Sequence, residues 1–594
     1  MKLAQRFEDW RRGLAIARRF APDLRPHAWM LALVGIVTLA GVGAELLRPW
    51  PIQWIVDQAL ARKHHPRLEP EEILLWGALA AVGLVLLDCG CDYLAAVLTN
   101  RISQAVARTL RSRVFEHLTR LSPAFFARYK SGDLLVRLMG DVPLVRAMLV
   151  DSAAALITRG LLIAGTLAMM IALDAWLTLI VVGLIPVCML AVWWISRRLH
   201  IAARKQRAKE GELADYLHEA IAANSLIQSL GASARVAERF SRTNRSATRA
   251  ELKAARLGAQ LSVSIETIFG VCTAAALLFG GQRVLAGTLS TGQLIVFLSY
   301  VRSLLKPVRA TGKHTGKLSK GMASAERLLE VLDEPVAVRS QPGAPAAPAE
   351  PVELAFEQVS FGYRSGVEAL RAFDARFRRG ELTGLFGRSG SGKSTVAALA
   401  VRLFDPEQGA VSLDGRPLRE YDLDSLRSRL GLALQDSVLF GTTIRENLLL
   451  GRADASDDDL WLALHAASAD GFVRALPEGL DSELGSGGVG LSGGERRRLS
   501  LARTLLRRAP VVIVDEPFTG LDRLAVERVR RTLQELARES IVIVIAHDLD
   551  HLEVFDRILF LDEGRIDDQG THAELCARNA LYRRITRAPL PQPA

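Results

Sequence analysis

The most constraining feature of this 594-residue sequence is a series of long apolar stretches, all of which lie before about residue 305. A helix that spans a lipid bilayer needs about 20 mainly apolar residues. Residues 27–59 and 73–98 each contain such a stretch, and residues 153–196 contain an apolar run that is too long for one span. The first half of the chain is therefore predicted to be helical and to lie in a membrane.

The interruptions of the apolar stretches predict the number of spans. Residues 153–196 are marked only by Arg159 and by a short break at Asp174, which predicts a helical hairpin. Residues 257–285 supply a fifth span and residues 293–305 a weaker sixth. The sixth is accepted partly because an even number returns the second half of the chain to the side on which the chain began. We therefore expect six transmembrane helices.

Two hydrophilic segments between the spans, residues 100–150 and 197–256, have helical periodicity and are rich in Lys and Arg. The connections near Asp174 and Gly287 are short by comparison. Basic residues concentrate on the cytosolic side of membrane proteins, so the two long segments are predicted to extend helices two to five into the cytosol. The net charge of +11 is then explained by basic residues that lie next to the anionic inner face of a membrane, and a nucleic-acid partner is not needed to explain it.

Composition divides the chain into five parts. Residues 1–26 are basic and amphipathic, lack the apolar core of a signal peptide, and are expected to form a cytosolic helix that lies on the membrane. Residues 27–335 are the predicted membrane domain, and residues 336–351, rich in Pro and Gly, have the composition of a linker. Residues 352–587 are predicted to form an α/β domain, and residues 588–594 a disordered tail. The five cysteines show no metal-ligand pattern and are expected to be reduced.

The second half of the chain contains the pattern of a phosphate-binding loop. A buried strand predicted over residues 381–386 is followed by a glycine-rich loop and by the helical pattern of residues 396–403. Glycines let backbone N–H groups turn toward phosphates, and the helix N-terminus adds a partial positive charge. Lys393 is expected to reach the β- and γ-phosphates, and Ser394 to bind Mg²⁺. The loop residues are Gly387, Arg388, Ser389, Gly390, Ser391, Gly392, Lys393, Ser394 and Thr395.

A second motif joins a strand to two carboxylates. The apolar run over residues 511–514 ends in Asp515 and Glu516, and ligands bind at the carboxyl ends of strands in open α/β sheets. Asp515 suits the coordination shell of Mg²⁺, and Glu516 suits the positioning or deprotonation of an attacking water. Taken alone, the pattern also fits a strand that ends in an acidic turn.

A third motif lies between the other two and directly precedes the basic helical stretch of residues 496–508. A Ser-Gly-Gly sequence at a helix N-terminus is a second anion-binding device. The chain therefore has two phosphate-binding devices for what should be one nucleotide. The motif consists of Leu491, Ser492, Gly493, Gly494 and Glu495.

Together these motifs resemble those of the ABC transporter family, in particular exporters with membrane and ATP-binding domains in one chain. The resemblance covers nearly the whole sequence. It implies an all-α six-helix transmembrane domain with long cytosolic helix extensions, followed by an α/β P-loop NTPase domain of ABC type. It also implies that two chains pair, because in that family the P-loop of one protomer and the signature motif of the other enclose ATP.

The resemblance implies roles for further residues, each of which singly also fits an ordinary structural residue. Tyr363 is similar to the aromatic residue that stacks on adenine, and Gln435 to the glutamine that links Mg²⁺ and water to the membrane domain. His547 resembles the histidine that holds the γ-phosphate, and Asp522 the aspartate that signals across the dimer. Glu495 stands where glutamine is commonest in the family, a departure that removes no catalytic group.

The expected function is ATP-driven export of an unidentified lipid, drug-like amphiphile or peptide by alternating access, with ATP and Mg²⁺ as cofactors. The location implied is the inner membrane of a bacterial cell, with the ATP-binding domain in the cytoplasm. Uptake by the same architecture, as in some siderophore importers, and an ATP-gated regulator or channel are the alternatives. The complete catalytic set argues against a regulator. A homodimer is favoured over a heterodimer, because neither phosphate-binding motif is degenerate.

Several ionisable residues lie inside the predicted spans. Such groups are costly in a membrane and usually face a cavity or a partner. Asp88 and Arg159 are predicted to lie deep in the membrane and Glu266 toward its inner half. Pairing of Asp88 with Arg159 is one interpretation and contact with substrate is the other, and the sequence leaves both open.

Overall fold

The computed structural model describes residues 15–16, 18–60, 69–129, 131–364, 367–434, 438–485, 487–488, 490–546 and 552–586. The chain divides into two units. The first consists of Met1–Leu118 and Gly132–Asp333, and the second of Thr119–Ser131 and Glu334–Ala594. The short segment that contains Phe125 and Phe126 therefore belongs to the second unit.

The first unit is helical throughout its described part. Its helices are α1 (Ala28–Leu47), α2 (Trp50–Trp54), α3 (Pro70–Arg120), α5 (Ser131–Val136), α6 (Val142–Arg146), α7 (Ala153–Leu173), α8 (Ala175–Ala222), α9 (Asn224–Ser229), α10 (Ser233–Leu285), α11 (Thr291–Ser303) and α12 (Leu305–Leu332), while α4 (Pro123–Arg128) lies in the second unit. A 3-10 turn at Arg25–His27 and π-helical turns at Ile55–Leu60, Arg137–Asp141 and Ala147–Ser152 join some of them.

Four helical stretches are long and apolar enough to cross a membrane: Arg18–Ala59, Pro70–Arg120, Gly132–Leu173 and Ser233–Leu285. Helix α8 begins with a shorter apolar segment, Ala175–Leu184, and α11 contains 13 residues. With these two, six helical stretches follow one another in the predicted order in the described part of the chain. The predicted hairpin is confirmed, since α7 ends at Leu173 and α8 begins at Ala175.

Three helices are much longer than a bilayer is thick. Helix α3 has 51 residues, α8 has 48 and α10 has 53. At about 1.5 Å per residue each measures about 70–80 Å, more than twice the roughly 30 Å hydrocarbon core. The predicted extension of the spans beyond the membrane is therefore confirmed for these helices.

The turn at Asp174 is held by a buried carboxylate. Asp174 has an extended backbone and accepts a hydrogen bond from the N–H of Leu177 at 2.9 Å, which caps α8. Its other oxygen accepts from Nε of Arg283 on α10 at 2.8 Å. The side chain of Asp174 is 3% exposed. One residue thus ends α7, starts α8 and ties both to α10.

A second carboxylate ties the end of the first span to the start of the last. Asp57 accepts hydrogen bonds from the hydroxyl of Ser290 at 2.6 Å and from the N–H of Gly292 at 2.9 Å. A Cβ on Gly292 would lie 2.7 Å from the Asp57 carboxylate. A side chain at this position would therefore require the Asp57 carboxylate to move from its two hydrogen bonds.

Tyr300 bridges a break in the first span. Pro49 and Pro51 interrupt the helix between α1 and α2, because proline lacks the N–H that a helix uses. The Tyr300 hydroxyl donates to the carbonyl of Leu46 at 2.6 Å and accepts from Nε1 of Trp50 at 2.9 Å. Tyr300 belongs to a buried cluster with residues of α7, α8, α10 and α11 and the residue that follows α11: Met170, Leu177, Val181, Cys272, Ala276, Val296, Phe297, Val301 and Leu304.

The ionisable residues of the spans are partly accounted for. Asp88 and Glu266 both interact with other groups of the protein. Arg159 is half-buried, and its Nη1 is buried without a hydrogen-bond partner among the described residues. Pairing of Asp88 with Arg159 stays a prediction.

The second unit contains two sheets. The antiparallel sheet has the order β2-β1-β4-β5, and the larger sheet has the order β10-β9-β3-β8-β7-β6, in which all pairs except β9 with β10 are parallel. The strands are β1 (Glu353–Arg364), β2 (Val367–Arg378), β3 (Leu382–Gly387), β4 (Gln408–Leu413), β5 (Arg416–Pro417), β6 (Leu430–Ala433), β7 (Val511–Asp515), β8 (Ile541–Ala546), β9 (Arg557–Asp562) and β10 (Arg565–Gly570).

Helices surround the larger sheet. They are α13 (Lys393–Ala400), α14 (Leu423–Ser428), α15 (Ile444–Leu449), α16 (Asp457–Ala466), α17 (Asp470–Ala475), α18 (Gly493–Leu506), α19 (Arg523–Glu539), α20 (His572–Arg578) and α21 (Ala580–Thr586). Strands β3, β7 and β8 are buried at every residue, as a parallel sheet covered on both faces requires. The predicted α/β class is confirmed.

The segment with linker composition packs along the second unit. The hydroxyl of Ser340 donates to Asp422 at 3.0 Å and accepts from the N–H of Leu423 at 2.8 Å. Further along, the N–H of Ala347 donates to the Ser425 hydroxyl at 3.0 Å, and Ala347 is 5% exposed. These contacts attach the segment to the start of α14.

Candidate functional site

The phosphate-binding loop connects the buried strand β3 to α13. Gly390 and Gly392 have φ angles of +80° and +103°, which residues with a side chain rarely adopt. A Cβ on Gly387 would lie 2.2 Å from the carbonyl oxygen of Leu561 on β9. The glycines are therefore required by the backbone path and by the close packing of the loop on the neighbouring strand.

Lys393 is the first residue of α13 and is 6% exposed. Its Nζ donates to the carbonyls of Gly387 at 2.8 Å and of Arg388 at 2.9 Å. Burial lowers the pKa of the Lys393 ammonium, while the carboxylates of Asp515 and Glu516 act in the opposite direction. A buried ammonium thus lies inside the loop and within electrostatic reach of both acidic residues.

The other loop residues differ in exposure. Arg388, Ser389, Gly390 and Ser394 are exposed, whereas Ser391 and Thr395 are buried. The carbonyl of Ser391 accepts from the N–H of Gly564, the residue before β10, at 3.2 Å. This contact, which the sequence did not indicate, attaches the loop to the turn between β9 and β10.

The two carboxylates lie where the strand pattern predicts. Asp515 is the last residue of β7 and is 9% exposed. Glu516 follows with a φ of +50°, and its N–H donates to the carbonyl of Ile545 on β8 at 2.9 Å. A positive φ at a residue other than glycine carries some backbone strain. Glu516 is therefore the first residue after β7, at the carboxyl end of the strand.

The third motif forms the start of α18. Ser492 caps the helix, and its hydroxyl accepts from the N–H of Glu495. Glu495 returns the contact, so the two residues form a capping box. A Cβ on Gly494 would lie 3.4 Å from the carbonyl of Gly520, which places the start of α18 beside the loop that follows Glu516. Leu491 packs against the hydrophobic core of the unit.

Tyr363 lies near the end of β1 and is 51% exposed. Its ring meets those of Phe361 and Phe404 edge to face, with centroids 5.1 and 5.4 Å away. Phe404 was not recognised from the sequence, because it lies 41 positions away in a stretch without a motif. The two phenylalanines hold the Tyr363 ring at the surface, where a flat ligand can stack on it.

The remaining predicted site residues are placed as follows. Asp522 caps α19 by accepting from the N–H of Ala525 at 2.8 Å. Gln435 and His547 lie outside the described residues, two positions after the end of β6 and one position after the end of β8.

The combination of a long-helix membrane unit with a phosphate-loop α/β unit defines a class, that of membrane transporters driven by ATP. The family profile described as the ABC transporter transmembrane region matches residues 31–308, and the profile described as ABC transporter matches residues 370–519. The chain belongs to the ABC transporter family and has the organisation of an exporter-type half-transporter. It is a multi-pass inner-membrane protein with a cytoplasmic ATP-binding domain.

Several relatives are similar along their whole length. The ATP-dependent lipid A-core flippase of Chromobacterium violaceum is 31% identical over 593 residues, which cover 99% of each chain. The uncharacterised ABC transporter ATP-binding protein YknV of Bacillus subtilis is 30% identical over 94% of this chain and 92% of its own. A solved ATP-bound structure of a bacterial Atm1-family ABC exporter has a TM-score of 0.75 and 27% identity, covering 96% of this chain and 99% of that one. The expectation of ATP binding and ATP-driven export is confirmed.

The packing of Gly387 yields a prediction. We expect Gly387→Ala to destabilise the ATP-binding domain by about 1–3 kcal/mol, the usual cost of overpacking, because the new methyl group would overlap the Leu561 carbonyl. The control is Gly471→Ala on α17, where an added Cβ meets nothing within 4 Å. Thermal unfolding monitored by calorimetry measures both. Equal melting temperatures for the two variants would contradict the prediction.

Proposed function

We propose that this chain forms one half of a homodimeric exporter that uses ATP hydrolysis to move an anionic, amphiphilic lipid across the membrane. The observation that carries the proposal is the placement of buried Lys393 on the phosphate loop, within electrostatic reach of Asp515 and Glu516. This arrangement joins a phosphate ligand to two carboxylates at one edge of a parallel sheet. It suits the binding and hydrolysis of a nucleoside triphosphate.

In this proposal Lys393 binds the β- and γ-phosphates of ATP. Its two bonds to loop carbonyls keep the ammonium buried and oriented, and phosphate oxygens take over as acceptors when ATP binds. Backbone N–H groups of residues 387–395 contribute further hydrogen bonds, aided by the N-terminus of α13. Tyr363 stacks on adenine from its platform of Phe361 and Phe404.

Oxygen ligands at the loop suit Mg²⁺, which prefers carboxylate and hydroxyl oxygens. Two such ligands are the exposed hydroxyl of Ser394 and the carboxylate of Asp515, and Gln435 is a third candidate. When bound, Mg²⁺ would neutralise charge on the phosphates. Lys393 and the loop N–H groups supply the rest of that stabilisation.

Glu516 orients the attacking water and accepts its proton. Its strained backbone is held by the bond to Ile545, and Thr519 Oγ1 lies 3.4 Å from Glu516 Oε2. The carboxylate is therefore positioned by its surroundings before ATP arrives. His547 holds the γ-phosphate, and Asp522 communicates with the partner chain across the dimer.

Two chains are needed because each contributes a different phosphate-binding device. The N-terminus of α18, with Ser492 and Gly493, binds the γ-phosphate of ATP held on the phosphate loop of the partner chain. Closure of the two ATP-binding domains then drives the membrane helices from an inward-open to an outward-open arrangement, and hydrolysis resets the cycle. A homodimer has two complete sites, since neither device lacks a residue.

A lipid substrate is supported by two observations. Relatives that match over nearly the whole chain are lipid A-core flippases, and Arg159, predicted at mid-membrane depth, has a buried Nη1 without a hydrogen-bond partner among the described residues. A charged guanidinium at that depth is costly unless it meets an anion. The phosphate of a lipid headgroup supplies one.

The division of labour between two residues is testable. We expect Glu516→Gln to bind ATP and stall as a closed dimer, with ATPase activity reduced at least about a hundredfold because the group that acts on water is lost. Lys393→Ala should lose ATP affinity because phosphate charge is no longer neutralised. Binding of a fluorescent ATP analogue and phosphate release measure the two effects. Wild-type turnover in Glu516→Gln would overturn the assignment.

Sharing of sites between chains is tested with mixed dimers. A dimer of one Lys393→Ala chain and one Ser492→Ala chain has both defects in one composite site and none in the other. We therefore expect mixing to restore ATPase activity well above that of either variant alone. Two differently tagged chains, co-expressed and purified through both tags, provide the sample. Activity no higher than the average of the two homodimers would show that each chain works on its own.

The substrate is tested by lipid-stimulated ATPase activity in proteoliposomes. We expect lipids whose phosphate headgroups carry a net negative charge to stimulate the wild type more than zwitterionic phospholipids do. Arg159→Gln should lose this stimulation by a larger factor than it loses basal activity, and Arg159→Lys should retain part of it because the charge remains. Equal stimulation of Arg159→Gln and wild type would remove Arg159 from the substrate path.

A further inference from the structure

Glu495 turns back over the N-terminus of α18 and takes up the hydrogen bonds of Ser492. Its Oε2 accepts from the backbone N–H of Ser492 and from the Ser492 hydroxyl, both at 2.8 Å. The Ser492 oxygen in turn accepts from the N–H of Glu495 at 3.3 Å. Both donors of Ser492 are therefore directed at a single carboxylate oxygen.

This carboxylate is a charged group in a position that favours anions. The hydrogen bonds from Ser492, first from its backbone and then from its hydroxyl, together with nearby Arg498, hold the pKa of Glu495 below its ordinary value despite partial burial. Glu495 is therefore ionised at neutral pH. The partial positive charge of a helix N-terminus stabilises it further.

The same capping geometry occurs where no phosphate is expected. Thr571 caps α20 and Glu574 folds back onto it, with a bond of 3.0 Å from the Thr571 N–H to the carboxylate and one of 3.3 Å in return. A capping box as such is thus an ordinary helix start in this protein. What distinguishes Glu495 is that its box encloses the serine assigned to the γ-phosphate.

We propose that Glu495 is an internal competitor of the ATP γ-phosphate for the Ser492 donors, and so raises the ATP concentration needed to close the dimer. The inference rests on the proposed function, in which Ser492 contacts ATP bound to the partner chain. The γ-phosphate must replace the carboxylate at the Ser492 hydroxyl and approach it against like-charge repulsion. Glu495 acts through Ser492 and the local field, and is a positioning residue rather than a catalytic one.

Replacement by glutamine separates the charge from the cap. A glutamine side-chain oxygen can accept the same two bonds from Ser492, so Glu495→Gln keeps the capping box and removes the negative charge. The interaction of one charge with a helix N-terminus changes the equilibrium constant for binding there by about two- to fivefold. We therefore expect the KM for ATP to fall about two- to fivefold, by a larger factor than any change in kcat.

The experiment compares Glu495→Gln with Glu574→Gln in the full-length dimer, reconstituted in nanodiscs. Both variants neutralise one capping-box carboxylate, and only the first should lower the KM. Screening supplies a second readout, because repulsion between charges that solvent can reach weakens as salt rises from about 50 to 500 mM. The difference in KM between Glu495→Gln and wild type should therefore shrink with salt.

The outcomes distinguish this inference from the proposed function. An unchanged or higher KM in Glu495→Gln, or the same change in Glu574→Gln, would overturn the inference and show Glu495 to be only a helix cap. In that case, restored activity in the mixed Lys393→Ala and Ser492→Ala dimer would still support an ATP site shared between the two chains. Failure of that restoration would instead remove the shared ATP site of the proposed function, on which the inference rests.

Discussion

A lipid bilayer offers no hydrogen bonds to a peptide group, so every backbone N–H and C=O in a span must find its partner inside the protein. This constraint makes the first unit a set of long helices and restricts where they can break. The breaks occur where another group satisfies the freed backbone. Asp174 caps α8, Asp57 binds the N–H of Gly292 at the start of α11, and Tyr300 donates to the Leu46 carbonyl near Pro49. The side chains at the breaks also tie one span to another.

In the second unit the corresponding constraint is the parallel sheet. Parallel strands end at the same edge, so residues far apart in sequence meet there. Strand β8 lies between β3 and β7, which brings Lys393 within electrostatic reach of carboxylates more than a hundred residues later. The same arrangement lets the Ile545 carbonyl hold the backbone of Glu516. The chemistry of the site depends on this register rather than on any single loop.

The local motifs could be predicted because each is a short pattern with its own physical cause. The phosphate loop needs glycines followed by a helix, and the Asp515–Glu516 pair needs a buried strand before it. The contacts that support these motifs could not be predicted. Phe404 beside Tyr363 lies in a stretch without a pattern of its own. The contact of Gly564 with Ser391 is selected by the packing of distant strands and has no local signal. The Pro- and Gly-rich segment before β1 has the composition of a linker, yet Ser340 and Ala347 attach it to α14.

The sequence by itself determined the membrane character of the first half, the order of the helices, the phosphate loop and the paired carboxylates. Each of these follows from hydrophobic length or from the spacing of neighbouring residues. Only the tertiary structure decided that Asp174 joins Arg283, that Asp57 closes on Ser290, and that the Glu495 carboxylate takes both donors of Ser492. The first two contacts join residues more than a hundred positions apart, and the third depends on a rotamer in a helix start. Periodicity along the chain carries no information about the first two contacts, because they are determined by which surfaces meet when the chain packs. The Ser492–Glu495 contact is local, and it depends on the side-chain conformation at the start of α18.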